Sequence, residues 1–413
     1  NPVIGVRSFG DDPDKVSALG LALLEGLQGV GVAGALKHFP GHGDTSQDSH
    51  TDLPSVARSA AQAEAMDLAP FARVIRSAAP AMVMTAHIQY PALDSSTLPG
   101  TEVVVPATLS RVMMTGVLRE QMAYKGVIIT DALDMRAISD RISPAAAVTG
   151  CFRAGVDIAL MPLLLRSPAS FEQYEQIIAA VEEAVASGEL DETELRASAG
   201  RVLALQQQFA GAAQVADIGA IACQQHRSLE RDIARASLTL VTGELPALSA
   251  AASVHLLLPD ADSATALAAA LRAEAPSLEI SWQSLDQFDP VREQHSLREA
   301  DLYLVGVSEP AASAVVVGGA EDLPNLPDRS PAAVQKTTLA AAGGTPRVVV
   351  LLNSPYVAVE FQDLAEAVLA SYDGASEGLA GEPGPAYRAI ARVLLGDGNP
   401  EGSLPVRLPG MPH

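Results

Sequence analysis

The chain has 413 residues, of which 48% are hydrophobic, and its net charge of −22 corresponds to a pI near 4.7. This length is enough for two domains with separate cores, and the negative charge disfavours nucleic acid and anionic membranes as partners. Two cysteines, Cys151 and Cys223, are too few for a disulfide framework or a cysteine metal site, and no stretch is apolar for long enough to span a membrane. The chain starts at Asn1 with neither an initiator Met nor a signal peptide, so any targeting signal would be hidden. We expect a cytoplasmic protein, with an exported protein as the alternative.

The first half of the chain alternates predicted helices with short apolar runs. Asp12 followed by Pro13 predicts a helix start, and apolar residues at helical spacing lead to a stop at Gly29. Further helices are predicted over 59–77, over 108–118 with Thr108 as its cap, from Ser143, over 171–187 and over 192–208. The runs predicted as strands are 30–36, 81–84, 126–129 and 156–161. Continuous apolar strands between helices indicate a parallel sheet that is buried on both faces.

Three of these strands end in polar or reactive side chains. Lys37 and His38 follow the first strand, His87 follows the second and Asp131 follows the third. In a (β/α)8 TIM barrel the active site lies at the C-terminal ends of the strands. Such a barrel needs eight strands and only four are visible, which leaves two alternatives. The sheet is open, or the first half of a barrel precedes Asn1.

The segment 37–50 concentrates titratable side chains directly after the first strand. It holds three of the chain's eight histidines, one lysine and two aspartates, interrupted by proline and glycine. Asp48 and His50 are two residues apart and would point to the same side of an extended loop. The carboxylate can then polarise the imidazole and raise its pKa, which suits a general acid. The alternative is a solvated loop rich in turn-forming residues, but such a loop needs neither a Lys-His pair nor an Asp-x-His pair.

The same residue types allow more than one chemical interpretation. Lys37 and His38 would offer hydrogen-bond donors to a hydroxyl-rich or acetamido ligand. His38, His42 and His50 could instead be zinc ligands, although the proline and glycines provide mobility rather than a fixed ligand geometry. Asp131 is either a carboxylate at a barrel mouth or the N-cap of the next helix, a position that aspartate favours.

The composition changes after residue 208. A polar helical region follows, and then a second set of alternating apolar runs and helices that is typical of a doubly wound sheet. The apolar runs are 254–258, 302–307, 348–352 and 367–370, and the helices are 263–272, 331–342 and 385–395. The glycine pairs in this part form neither a dinucleotide fingerprint nor a Walker loop, so no nucleotide cofactor is expected.

Several motifs together resemble the β-N-acetylglucosaminidases of glycoside hydrolase family 3. Residues 37–43 read KHFPGHG and residues 48–50 read DSH, which is similar to the signature of that family. The similarity extends through 1–10, 84–87, 106–110, 126–133 and 396–406. The DSH element is the specific part, because the β-glucosidases of the family have the Lys-His pair but lack this histidine loop.

The resemblance implies roles for individual residues. Asp131 would be the nucleophile that forms a covalent glycosyl-enzyme intermediate, His50 the acid/base and Asp48 its orienting partner. The reaction would proceed with retention through two displacements. The residues that would bind N-acetylglucosamine (GlcNAc) are Arg7, Lys37 and His38. No metal and no other cofactor is implied.

The resemblance also implies a domain organisation within the α/β class. Residues 1–208 would be the C-terminal half of a (β/α)8 TIM barrel, with the four visible strands as its last four and Asp131 after the seventh. Residues 209–235 would be a linker helix region. Residues 236–413 would form an α/β (αβα) sandwich.

The implied function is that of a retaining exo-β-N-acetylglucosaminidase acting in cell-wall turnover. Its partner would be a small carbohydrate, a GlcNAc-containing muropeptide or chito-oligosaccharide, and we expect a monomer. A GlcNAc phosphorylase is a second interpretation, because a histidine acid is neutral after proton transfer and repels an anionic attacker less than a carboxylate would. A non-catalytic sugar-binding homologue and a metal hydrolase also stay open at this point.

Overall fold

The computed structural model describes residues 4–45, 53–210, 218–308, 331–379 and 381–411. The chain divides between residues 215 and 216 into two compact units. Each unit has its own sheet and its own apolar core.

The first unit contains helices around a small parallel sheet. Its helices are α1 (Pro13–Gly29), α2 (Ala60–Gln62), α3 (Ala69–Ala78), α4 (Arg136–Ser139), α5 (Pro144–Ala154), α6 (Pro168–Ala186) and α7 (Glu192–Ala210). Its strands are β1 (Ala35–Phe39), β2 (Met82–Thr85) and β3 (Val127–Ile129). Two π-helical segments, Ala63–Leu68 and Val112–Gln121, and two 3-10 helices, Gly5–Arg7 and Ala107–Leu109, complete it.

Local capping signals located two helix starts correctly. The Asp12 side chain accepts hydrogen bonds from the backbone N–H groups of Asp14 and Lys15 at the start of α1. Ser143 accepts one from Ala146 N–H at the start of α5. Both helices have proline in the first turn, where its missing N–H costs no intrahelical bond.

The first strand begins later in the chain than its apolar run suggested. The predicted strand 30–36 is wrong at its start, because α1 extends to Gly29 and the N–H groups of Val30 and Val32 bond to Leu27 O at its C-terminus. Val30 is 76% exposed, so this part of the run belongs to a turn rather than to the sheet. The strand itself, β1, includes Lys37 and His38 and pairs in parallel with β2.

The fourth predicted strand is also wrong in the described structure. Within 156–161 only Ile158 forms a parallel bridge, with Ile129 of β3. The N–H groups of Leu133 and Asp134 bond to the carbonyl groups of Leu160 and Met161, so the segment instead braces the loop that follows β3. The described sheet of this unit is therefore β1–β2–β3, all parallel.

Thr108 is not a helix cap, which corrects the third predicted helix. It lies inside the 3-10 helix Ala107–Leu109. Its hydroxyl is within hydrogen-bond distance of Thr85 on β2, and of Ala86 O and His87 just after that strand. The segment that follows is π-helical, Val112–Gln121.

The second unit is built on one six-stranded sheet. Its strands are β4 (Thr239–Gly243), β5 (Ser253–Leu258), β6 (Glu279–Ser284), β7 (Leu302–Val307), β8 (Arg347–Leu351) and β9 (Ala367–Ala370). Its helices are α8 (Gln224–Ser237), α9 (Ala261–Glu274), α10 (Pro290–Glu299), α11 (Pro331–Ala341), α12 (Ala358–Phe361) and α13 (Pro385–Leu394), with 3-10 turns at Ile218–Ala220 and Leu285–Gln287. The strand order is β4-β9-β8-β7-β5-β6, and only β4 is antiparallel to its neighbour.

Alternate residues of these strands supply two separate cores. One core packs α9 and α13 against side chains such as Leu256 and Leu304, and the other packs α10, α11 and α12 against Leu257 and Val305. Successive side chains of a strand point to opposite faces, which is why runs of continuous apolar residues are needed here. The four predicted strands are confirmed, whereas β4, β6 and α10 were missed.

The α/β class is confirmed. The finer description, half of a TIM barrel over 1–208, a linker over 209–235 and an αβα sandwich over 236–413, stays a prediction. Among the described residues, no helix is both long enough and apolar enough to cross a bilayer.

Candidate active site

Asp131 lies just beyond the C-terminal end of β3, at the edge where β1 and β2 also end. Its Oδ1 accepts a hydrogen bond from the backbone N–H of Ala132 at 2.8 Å, and its side chain is 24% exposed. The alternative role as a helix N-cap is wrong, because the residue before α4 is Met135, which has no side-chain capping bond. Asp131 is therefore a partly accessible carboxylate held by its own loop.

His38 is the side chain that faces this carboxylate. Its Nε2 lies 3.7 Å from Asp131 Oδ2, and only 11% of its side chain is exposed. Burial lowers the pKa of His38 to about 3; the Asp131 charge opposes this shift, and the charges of Lys37, His42 and Arg7 add to it. With its pKa lowered to about 3, His38 is held in the neutral form near neutral pH.

Lys37 and Arg7 are exposed and close enough to His38 for their charges to affect its pKa. Arg7 ends the short 3-10 helix Gly5–Arg7, and Lys37 precedes His38 on β1. The peptide bonds Lys37–His38 and Phe39–Pro40 are both cis. The structure thus brings together four of the predicted site residues: Arg7, Lys37, His38 and Asp131.

His42 lies in the turn after β1 and is 7% exposed. Its Nδ1 is 2.6 Å from Thr45 Oγ1, and its ring meets that of His38 edge-on at 6.0 Å between centroids. Gly41, at φ +136°, packs against Asp67, where a Cβ atom would lie 2.7 Å from the Asp67 Cβ. This turn is therefore packed closely against the π-helical segment Ala63–Leu68.

One ion-pair network connects the turn with the chain that returns from the predicted loop. Arg58 bonds to Asp44 at 3.1 Å and to Asp67 at 2.5 Å, and Tyr90 donates its hydroxyl to Asp67 at 2.7 Å. Burial, followed by the hydrogen bond with Asp67, raises the pKa of Tyr90. The network holds residues 41–45 and residue 58 in one arrangement.

Asp48 and His50, the predicted acid/base pair, lie outside the described residues. The zinc interpretation needs His50 together with His38 and His42, so it stays a sequence-based hypothesis. Within the ranges that the structure describes, no three His, Cys, Asp or Glu side chains are grouped as metal ligands.

The sequence interpretation gave no role to His87, which the structure places beside the Asp131 loop. The ring is 1% exposed, its Nε2 lies 2.9 Å from Ala132 O and its Nδ1 lies 2.8 Å from Thr108 Oγ1. The signal in the sequence was its position directly after the second strand, the same signal that singled out Lys37 and Asp131.

Comparisons with known proteins point to one family. Residues 1–205 match the Glycosyl hydrolase family 3 N terminal domain. Beta-hexosaminidase A of Pseudoalteromonas piscicida is 40% identical over 98% of this chain and 71% of its own length. A beta-hexosaminidase of Chromobacterium violaceum is 41% identical over 38% of this chain and 42% of its own length.

Solved structures give the same result. A glycoside hydrolase family 3 beta-N-acetylglucosaminidase from Paenibacillus superimposes with a TM-score of 0.76 at 27% identity, covering 99% of this chain and 73% of that one. Identity over nearly the whole chain, a matching domain and a shared fold agree. The chain belongs to glycosyl hydrolase family 3.

Proposed function

We propose that the intact protein is a retaining exo-β-N-acetylglucosaminidase that releases terminal GlcNAc from peptidoglycan fragments. The observation that carries the proposal is the Asp131 carboxylate beside a neutral His38, at the C-terminal ends of parallel strands. Family membership and the names of the similar proteins, beta-hexosaminidase and beta-N-acetylglucosaminidase, support the substrate.

In the first step an Asp131 oxygen attacks the anomeric carbon as the bond from that carbon to the leaving oxygen breaks. A proton from His50 goes to the leaving oxygen, and Asp48 stabilises the imidazolium before transfer. In the second step water attacks the glycosyl ester, returns a proton to His50 and frees Asp131. Arg7, Lys37 and His38 hold the sugar in both steps.

The electrostatics of His38 support the assignment of the acid to another residue. A histidine with a pKa of about 3 is neutral near pH 7, so it cannot act as the general acid that protonates a leaving group. Its distance of 3.7 Å from Asp131 is also shorter than the roughly 5 Å between the two catalytic groups of retaining enzymes. His38 instead has one ring N–H to offer a sugar hydroxyl.

We further propose that the first unit is completed as a (β/α)8 barrel by a preceding segment and that the second unit is an αβα sandwich. Leu19, Leu23 and Leu27 lie at four-residue spacing on α1 and are 37–55% exposed. Phe171 and Ile178 of α6 are 56% and 45% exposed. Exposed apolar stripes on helices that flank a three-stranded sheet are faces that a barrel buries.

The nucleophile is tested with Asp131→Ala in the full-length protein. Turnover of an aryl β-GlcNAc should fall by about 10⁴-fold, because no group remains to form the ester. Azide can enter the vacated space and attack the anomeric carbon, so adding it should restore aryl release and give the α-glycosyl azide. Unchanged activity, or a β-azide product, would contradict Asp131 as the nucleophile, the latter indicating attack by the substrate's own acetamido group.

The matched control is His50→Ala with the same substrate and azide. Here the ester still forms on Asp131 and azide attacks it from the other face, so the β-glycosyl azide is expected. Wild-type reactions with and without phosphate separate hydrolysis from phosphorolysis, since GlcNAc-1-phosphate forms only in phosphorolysis.

A further inference from the structure

We propose that His87 is a positioning residue that sets the orientation of the Asp131 carboxylate; the inference rests on the proposed role of Asp131 as nucleophile. His87 lies two residues beyond β2, and its Nε2 is 2.9 Å from the carbonyl oxygen of Ala132. The N–H of the same Ala132 donates to Asp131 Oδ1 at 2.8 Å. Ala132 thus accepts a hydrogen bond from His87 and donates one to the Asp131 carboxylate.

The bond to Ala132 places a hydrogen on Nε2 of the ring. A carbonyl oxygen only accepts, so Nε2 carries a hydrogen, and in the neutral ring Nδ1 must then accept. Nδ1 lies 2.8 Å from the Thr108 hydroxyl, which in turn lies 2.8 Å from the Thr85 hydroxyl, so in the neutral ring Thr108 would be the donor to Nδ1. Thr108 can also donate its single hydrogen to Ala86 O at 2.9 Å, and in that arrangement Nδ1 carries a hydrogen and donates to Thr108.

The imidazole and the two hydroxyl groups are all buried. Thr85 and Thr108 are fully buried and His87 is 1% exposed. An unsatisfied polar group in such surroundings costs about 1–3 kcal/mol, so the three side chains hold each other in a single arrangement. A rigid, buried donor can hold the neighbouring loop, and with it the Asp131 carboxylate, in one position.

His87 supports the loop from the side of β2. On the opposite side the loop is tied to residues 158–161, through Thr130 N–H to Ile158 O and Leu133 N–H to Leu160 O. Ala132 O also accepts from Met135 N–H at 3.2 Å, a bond internal to the loop. The bond from His87 links the end of β2 to the residue next to the proposed nucleophile.

The test compares His87→Gln with His87→Asn in the full-length protein. The Gln amide nitrogen can reach the place of ring Nε2 and donate to Ala132 O, whereas the shorter Asn amide reaches only the place of Nδ1. We expect His87→Asn to slow the first-turnover release of the aryl group by about 10- to 100-fold, and His87→Gln to stay within about fivefold of wild type. Binding of GlcNAc should be unchanged in both, because the proposed sugar contacts are those of Arg7, Lys37 and His38.

One further pair of variants and one control variant separate positioning from folding. Thr108→Val removes the partner of Nδ1 and should slow the same step, while Thr108→Ser retains the hydroxyl and should not. His255→Gln, a buried histidine of the second unit with hydrogen bonds to Ser281 and Glu293, should lower thermal stability without slowing aryl release.

The inference is overturned if His87→Asn and His87→Gln are equally active, or if both lose rate only in proportion to lost folded protein. A wild-type protein that releases no aryl group from β-GlcNAc would instead contradict the proposed function. The two failures are therefore distinguishable in one set of assays.

Discussion

His38 is held neutral beside a carboxylate because burial outweighs the attraction of Asp131. Desolvation is the largest cause of its low pKa, and Lys37, His42 and Arg7 reinforce the shift. A neutral ring forms no strong ion pair with Asp131, which is what the proposed role of Asp131 as a nucleophile requires. The cationic side chains nearby can still bind hydroxyl and carbonyl oxygens of a sugar.

The low pKa of His38 predicts how stability depends on pH. The folded pKa is about 3 and the unfolded value is ordinary, so below about pH 6.5 the unfolded chain binds a proton that the folded chain does not. The free energy of unfolding should therefore decrease as the pH falls from 6.5 towards 3. This one group should contribute a loss of about 2 kcal/mol between pH 7.5 and pH 5.

Amide hydrogen exchange of β2 and β3 measures this effect in the first unit. Wild type and His38→Gln are compared at each pH, so that intrinsic exchange rates cancel, and the variant should lack the acid-dependent loss. His295→Gln is the matched control, because His295 is 75% exposed and lies in the second unit. Parallel pH curves for wild type and His38→Gln would contradict the prediction.

At the scale of elements, the turn after β1 depends on the segment Ala63–Leu68. Asp67 is 6% exposed at its side chain and receives hydrogen bonds from Arg58 and Tyr90, and Gly41 packs directly on it. Arg58 also reaches Asp44 in the turn itself. The contact between Asp44 and Arg58 joins the residues on either side of the segment that carries the proposed acid/base pair, Asp48 and His50.

Arg58→Met should destabilise the first unit by about 3 kcal/mol, because it leaves a nearly buried carboxylate without its cation. Arg73→Met removes an ion pair with Asp14 whose side chains are 43% and 77% exposed, and should cost less than about 1 kcal/mol. The two variants are compared by amide exchange in α3 and β2. Equal effects would show that burial of Asp67 contributes nothing to the network.

At the scale of the whole molecule, the second unit has a buried polar cluster of its own. Glu293 of α10 is 1% exposed and accepts from Tyr303 and Gln283, with His255 Nε2 at 3.0 Å. Burial and the Glu293 charge raise the pKa of Tyr303. The cluster attaches the polar helix α10 to strands β5, β6 and β7.

Glu293→Ala should destabilise the second unit by about 3 kcal/mol, since it leaves buried donors without an acceptor. Trp282, the single tryptophan, lies on β6 against the core of this unit, so its fluorescence in a denaturant titration reports the change. Glu299→Ala, at a site 70% exposed, is the control and should leave the midpoint unchanged. A midpoint equal to that of the control would contradict a structural role for the cluster.

The parts of the fold that depend on neighbouring residues in the chain were predictable. The starts of α1 and α5 follow from Asp12-Pro13 and Ser143-Pro144, because capping is a local interaction. Strands β5, β7, β8 and β9 were predicted because strands buried on both faces are continuously apolar. The edge strand β6 and the helix α10 were missed, since one face of each is exposed and their composition is mixed.

The amino-acid sequence was sufficient to indicate the family, the α/β class and the site candidates Arg7, Lys37, His38 and Asp131, because residue types and strand ends are properties of the chain. The folded contacts were needed to establish that His38 faces Asp131 and is neutral, since desolvation depends on what surrounds the ring. They were also needed to show that 156–161 braces the loop that carries Asp131, and that His87 reaches a carbonyl 45 residues away along the chain. Such contacts join distant parts of the chain, and no local pattern encodes which of them a buried side chain will meet.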